Sequence, residues 1–216
     1  MSAHIPLVIS TKYAIIILSG GKVLKTYKYV MHELRSYASP KSKLTQMIKK
    51  GEIIRIARGV YADTMADPRL PVAGMLVSPS YISFETALAY HGLIPERVYA
   101  IKSVGFRLNK DKIFNTPFGR YSFHYLPEDL FSSALKPAQE EGHGFRLARA
   151  EKAILDTLYK IRGISTKQAI RDLIIDDLRI DLDRLQELNW EVMATLAPLY
   201  RSTTIRSFIK HLGELL

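Results

Sequence analysis

Nine side chains between positions 41 and 58 have types and spacing suited to recognition chemistry: Lys41, Ser42, Lys43, Thr45, Gln46, Lys49, Lys50, Arg55 and Arg58. The six cations suit phosphate oxygens, and Ser42, Thr45 and Gln46 interleave hydrogen-bonding groups among them. In a DNA major groove Gln pairs with adenine and Lys with guanine, while most protein–DNA hydrogen bonds go to phosphate and sugar. Most of the nine are therefore expected to position a duplex rather than to read it. The plain alternative is a solvated basic face, and the distribution of charge weighs against it. Residues 1–62 hold eleven Lys or Arg against two acids, Glu33 and Glu52, whereas residues 63–216 hold twenty against nineteen. Cation concentrated in one third of a chain is the footprint of a polyanion partner, most often nucleic acid.

Few other constellations suggest chemistry. Glu151, Lys152 and Asp156 are the residue types of some nuclease sites, but adjacent helix positions point about 100° apart and Asp156 lies five residues beyond Glu151. Ser83 precedes a helix and reads as its cap rather than as a nucleophile. His91 reads as a structural residue near the last carbonyls of that helix. The histidines show no zinc-ligand spacing, and there is no cysteine, phosphate-binding loop or dinucleotide fingerprint. The expectation is a protein without catalytic residues, metal or cofactor. The apolar run at residues 13–18 is too short to span a membrane, so a cytoplasmic protein with no membrane partner is expected.

The elements that must position the basic residues lie at the N-terminus. Helices are expected over residues 11–19, ended by Gly20 and Gly21, over 27–37, and over 39–51. The last opens with Ser39 as a capping type and Pro40 at its first position, and closes at Gly51. Residues 53–62 read as a hairpin turning near Gly59. Helices followed by a basic hairpin form the winged helix-turn-helix pattern, with 39–51 as recognition helix and the hairpin as wing. The fold class is thus α+β: a winged helix-turn-helix domain at 1–65, a linker at 66–80 carrying Pro68, Pro71 and Pro79, and a mixed α/β domain at 81–216. Within the latter a helix at 83–92 precedes strands over 98–126. The chain is expected to be helical beyond Pro127, with a polar break at 139–144 and helices over 147–162, 165–178, 183–199 and 204–216.

The order of these features resembles the AbiEi-type antitoxins of type IV, or abortive infection, toxin–antitoxin systems. The likeness is carried by Arg58-Gly59-Val60-Tyr61-Ala62, by Tyr81-Ile82-Ser83 with Ala87-Leu88-Ala89-Tyr90-His91-Gly92-Leu93, and by Ala150-Glu151-Lys152-Ala153-Ile154-Leu155-Asp156. It covers roughly residues 20–160. One departure is a Tyr- and Lys-rich stretch in place of the usual threonine-led second helix. The resemblance implies an autorepressor that binds inverted repeats in its own promoter. It also implies an antitoxin that counters a nucleotidyltransferase-like toxin in phage defence, without need of a stable complex. A monomer or weak dimer, cooperative on DNA, is expected. The basic residues Arg146, Arg149, Lys152, Arg162, Lys167 and Arg171 are candidates for the antitoxin surface, with a solvated helix face as the alternative. A plain winged-helix transcriptional regulator whose C-terminal part senses a ligand or dimerises is the second reading.

Overall fold

The computed structural model describes residues 24–66, 68–96 and 98–214, so the helix expected over 11–19 lies outside the described residues. The chain enters as β1 (Leu24–Thr26), then α1 (Tyr27–Glu33), α2 (Pro40–Lys50), β2 (Ile54–Ala57) and β3 (Val60–Ala62), the strands forming an antiparallel sheet of order β1-β3-β2. Thr26 caps α1, its Oγ1 accepting from the Tyr29 N–H at 3.3 Å. The helix ends at Glu33 rather than Tyr37, with Leu34 as its C-cap, and the pre-proline restriction on Ser39 keeps it from joining α2. α2 has the expected bounds, with Pro40 in its first turn and Gly51 left-handed at φ 71°. Ser39 does not cap it: its hydroxyl donates to Ser42 Oγ at 2.8 Å. Gly59 turns the hairpin at φ 83°, where an L side chain would be strained, and its carbonyl accepts from the Tyr27 N–H at 2.9 Å.

Alternation along β3 divides this sheet between two cores. Tyr61 faces Val30, Leu34, Leu44 and Ile53 in a small cluster beneath α1 and α2, while Val60 and Ala62, with Ile56 of β2, join the large core. Residues 66–80, expected as a linker, are not an open tether. They carry α3 (Val72–Leu76), and Pro68, Pro71, Val72 and Ala73 are buried, so the proline spacing marks a packed turn rather than a free connection.

The larger sheet contains β4 (Ser80–Ile82), β5 (Ile101–Gly105), β6 (Lys112–Thr116), β7 (Gly119–His124), β8 (Leu135–Glu140) and β9 (His143–Ala148) in the order β6-β7-β5-β4-β9-β8. The central β4–β5 pair is antiparallel, each of the two is parallel to the inner strand of a hairpin (β7 or β9), and the arrangement is mixed throughout. Residues 135–148, expected to be helical around a polar break, form the β8–β9 hairpin instead. The break is its turn, with Glu141 at φ 46° and Gly142 at φ 82°. Pro137 is tolerated there because β8 is an edge strand.

Helices α4 (Phe84–Tyr90), α5 (Glu128–Phe131) and α6 (Ala150–Tyr159) pack with this sheet, α6 starting after Leu147 because Leu147 and Ala148 belong to β9. A helical segment completes the chain: α7 (Lys167–Asp172) running into a π turn at Leu173–Asp177, α8 (Leu182–Gln186), α9 (Trp190–Leu196) with a 3-10 turn at Ala197–Tyr200, and α10 (Thr203–His211). The fold is α+β. Among the described residues no helix is long and apolar enough to cross a membrane.

Candidate functional site

Leu44 anchors α2 in the small core with Met47 and Ile48 packed beside it, so helical geometry turns Ser42, Thr45, Gln46, Lys49 and Lys50 outward. All five are exposed, as is Lys41 in the first turn. Thr45 spends its hydroxyl proton on the Lys41 carbonyl at 3.0 Å, while the Gln46 amide has no partner among the described residues. Lys41 and Lys49 make no ion pair with a described residue, and the Lys50–Glu52 pair at 3.9 Å is solvated and weak. Lys43 differs: it is half-buried, its ammonium 5.2 Å from the centre of the Tyr37 ring.

The β2–β3 hairpin adds two cations. Arg55 lies on edge strand β2 directly opposite Tyr61, hence on the sheet face that α1 and α2 cover, and Arg58 stands in the turn beside Gly59. Both are exposed and unpaired among the described residues. Not all of the basic third is free in this way. Lys25 is bound by Asp63 at 2.9 Å and Glu33 at 3.1 Å; burial opposes its charge, but the two carboxylates outweigh it and raise its pKa.

The expected antitoxin surface is only partly at the surface. Arg146 on β9, Arg149 before α6, Arg162 beyond it, and Lys167 and Arg171 one turn apart on α7 are exposed. Lys152 is not, and that candidate is withdrawn, since its side chain is fully buried. Its ammonium donates to the Leu130 carbonyl at 2.8 Å, Asp156 Oδ1 at 3.2 Å and the Tyr200 hydroxyl at 3.3 Å, using all three protons. Asp156, equally buried, also accepts from Tyr81 at 3.1 Å, Ser83 at 2.6 Å and Tyr200 at 2.5 Å. Ser83 is therefore no helix cap; its hydroxyl is committed to a carboxylate on α6. Glu151 faces elsewhere, accepting from the Asn189 N–H at 3.1 Å, so it and Asp156 do not converge as a nuclease pair would require. His91 reaches past its own helix to the Ala148 carbonyl at 2.8 Å, and burial lowers its pKa.

The network predicts alkaline lability. Burial, then the Asp156 charge, raises Tyr81 and Tyr200 well above 10.0, and burial also raises Tyr121. Each tyrosine holds its proton more tightly folded than unfolded. Their contribution is therefore complete below about pH 10 and falls above it by about 1.4 kcal/mol per pH unit per residue. Lys152 works oppositely, because burial lowers its pKa and the penalty on its charge fades as pH approaches 10.5. Above that value the tyrosines alone set the slope. The last step of phenolate absorbance, that of the buried tyrosines, should coincide with the loss of circular dichroism; complete phenolate formation on an intact fold would contradict this.

These features define an α+β protein in which a basic unit of two helices and a three-stranded sheet packs on a mixed six-stranded sheet held to its C-terminal helices by a buried Lys–Asp network. No protein-family model matches the chain, and no curated protein sequence matches it.

Proposed function

We propose that this protein is a DNA-binding transcriptional autorepressor and the antitoxin of a type IV toxin–antitoxin pair, countering a nucleotidyltransferase-like toxin. The observation that carries the DNA half is the outward face of α2 and the wing, where Lys41, Lys49, Arg55 and Arg58 stand exposed without acidic partners among the described residues. Structural lysines are normally paired or dispersed; cations gathered on a helix and an adjoining hairpin suit a helix in the major groove and a wing on the backbone. The antitoxin half rests on resemblance to the AbiEi-type family. Two of the three motifs that carry it meet in one place, Tyr81 and Ser83 hydrogen-bonding to Asp156 and Lys152 completing the network. Such residues define a fold more than a reaction, which is consistent with a protein that binds rather than catalyses.

About six phosphate contacts from this surface give an expected slope of roughly −5 for log affinity against log salt. Titrations of the promoter duplex over a salt series check this, and a slope near zero would remove the proposed surface. One winged unit reads a short site, so binding to inverted repeats by two molecules is the expected route to specificity. The antitoxin half is tested by co-expression with the neighbouring nucleotidyltransferase-like gene product: growth should be restored by the intact chain. A plain regulator with a ligand-sensing C-terminal part is the second reading, favoured by a cavity beside α10, and the absence of such a neighbouring gene would select it.

A further inference from the structure

A cavity of about 390 Å3 lies between the end of α6 and the start of α10, a size in the range of small-molecule sites. Arg162 and Arg201 line it, both exposed and neither with an ion-pair partner among the described residues. The first turn of α10, a nine-residue helix, opens into the same wall through Ser202, Thr203 and Thr204. Ser202 Oγ accepts from the Ile205 N–H at 3.4 Å, while the N–H groups of Thr203 and Thr204 lack intrahelical acceptors and favour an anion. Thr204 is fully buried, and its Oγ1 has no hydrogen-bond partner among the described residues. The opposite character is also present: Tyr159 and Tyr200, with ring centroids 5.8 Å apart, supply an aromatic side, and Asp129 supplies an acceptor.

Two arginines unpaired among the described residues and the free N–H groups at the start of α10 suit a phosphate. An aromatic side and a carboxylate add what a bare phosphate would not need: a face for a flat ring and an acceptor for hydroxyl or amino protons. We propose that this cavity binds a nucleoside monophosphate, its phosphate at the start of α10 with Arg162 and Arg201, its base against Tyr159 and its hydroxyl or amino groups toward Asp129. The site is distinct from the basic face of α2 and does not depend on DNA binding.

Calorimetric titration of the full chain with adenosine 5′-monophosphate, inorganic phosphate and adenosine, at matched ionic strength, tests it. The monophosphate should bind saturably and at least tenfold more tightly than either fragment. An Arg162→Gln/Arg201→Gln variant, altered only at exposed positions, should lose at least tenfold of that affinity with an unchanged melting temperature. A Lys49→Glu/Lys50→Glu variant should keep it, because those residues lie in the other unit. No saturable heat, equal binding of inorganic phosphate, full affinity in the arginine variant, or loss of binding in the lysine variant would each overturn the proposal.

Discussion

A Lys49→Glu/Lys50→Glu variant is expected to bind the gene's own upstream duplex about a hundredfold more weakly than the unaltered protein while melting at the same temperature. Each phosphate contact contributes about 0.9 to the salt exponent, or nearly a decade of affinity at about 0.1 M salt relative to 1 M. Losing two contacts accounts for most of the hundredfold, and the added repulsion for the remainder. Both side chains are exposed on the last turn of α2 and neither touches the small core around Leu44, so folding is spared. The loss should be uniform across sequences, and the salt slope should shrink by about 2. Unchanged affinity in a folded variant would remove α2 from the interface.

An Asp156→Ala variant is expected to be destabilised by about 3–5 kcal/mol, the cost of leaving a buried charge without its partner. The Lys152 ammonium would lose its carboxylate partner, and the hydroxyls of Tyr81, Ser83 and Tyr200 would lose their acceptor inside a buried core. Against a typical total of about 5–15 kcal/mol, such a loss removes from about a fifth of the stability to all of it. A Lys152→Met variant should fare better, because the three hydroxyls keep Asp156 as acceptor. Chemical denaturation of both variants checks the order. A stable Asp156→Ala protein would show that the network contributes little.

Much of the N-terminal unit is legible because its signals are local. Pro40 and Gly51 punctuate α2, Gly59 marks the wing, and the charge imbalance needs only counting. What stays hidden depends on distant partners. A serine before a helix reads as its cap, yet Ser83 is claimed by Asp156, 73 residues away. The buried pair is missed because Asp156 is weighed against Glu151, five residues back, when its partner Lys152 lies four back, one helical turn. A signal was present: Ala153, Ile154, Leu155 and Leu158 make the segment apolar on most sides, the mark of a helix with no solvated face to hold a lysine. The β8–β9 hairpin escapes notice because Leu147 falls at helical spacing with Ile154 and Leu158, so its strand residues read as the start of α6. Nothing in the sequence singles out the cavity, since Arg162 and Arg201 are 39 positions apart and only the fold lines them along one wall.

The most direct measurement of the central claim is a fluorescence-anisotropy titration of the full chain against its own upstream DNA and a scrambled duplex, each at two salt concentrations. Tight binding that prefers the upstream duplex and weakens steeply with salt is the predicted result. Equal, weak binding to both duplexes would contradict it and leave the face of α2 and the wing as a generic basic surface.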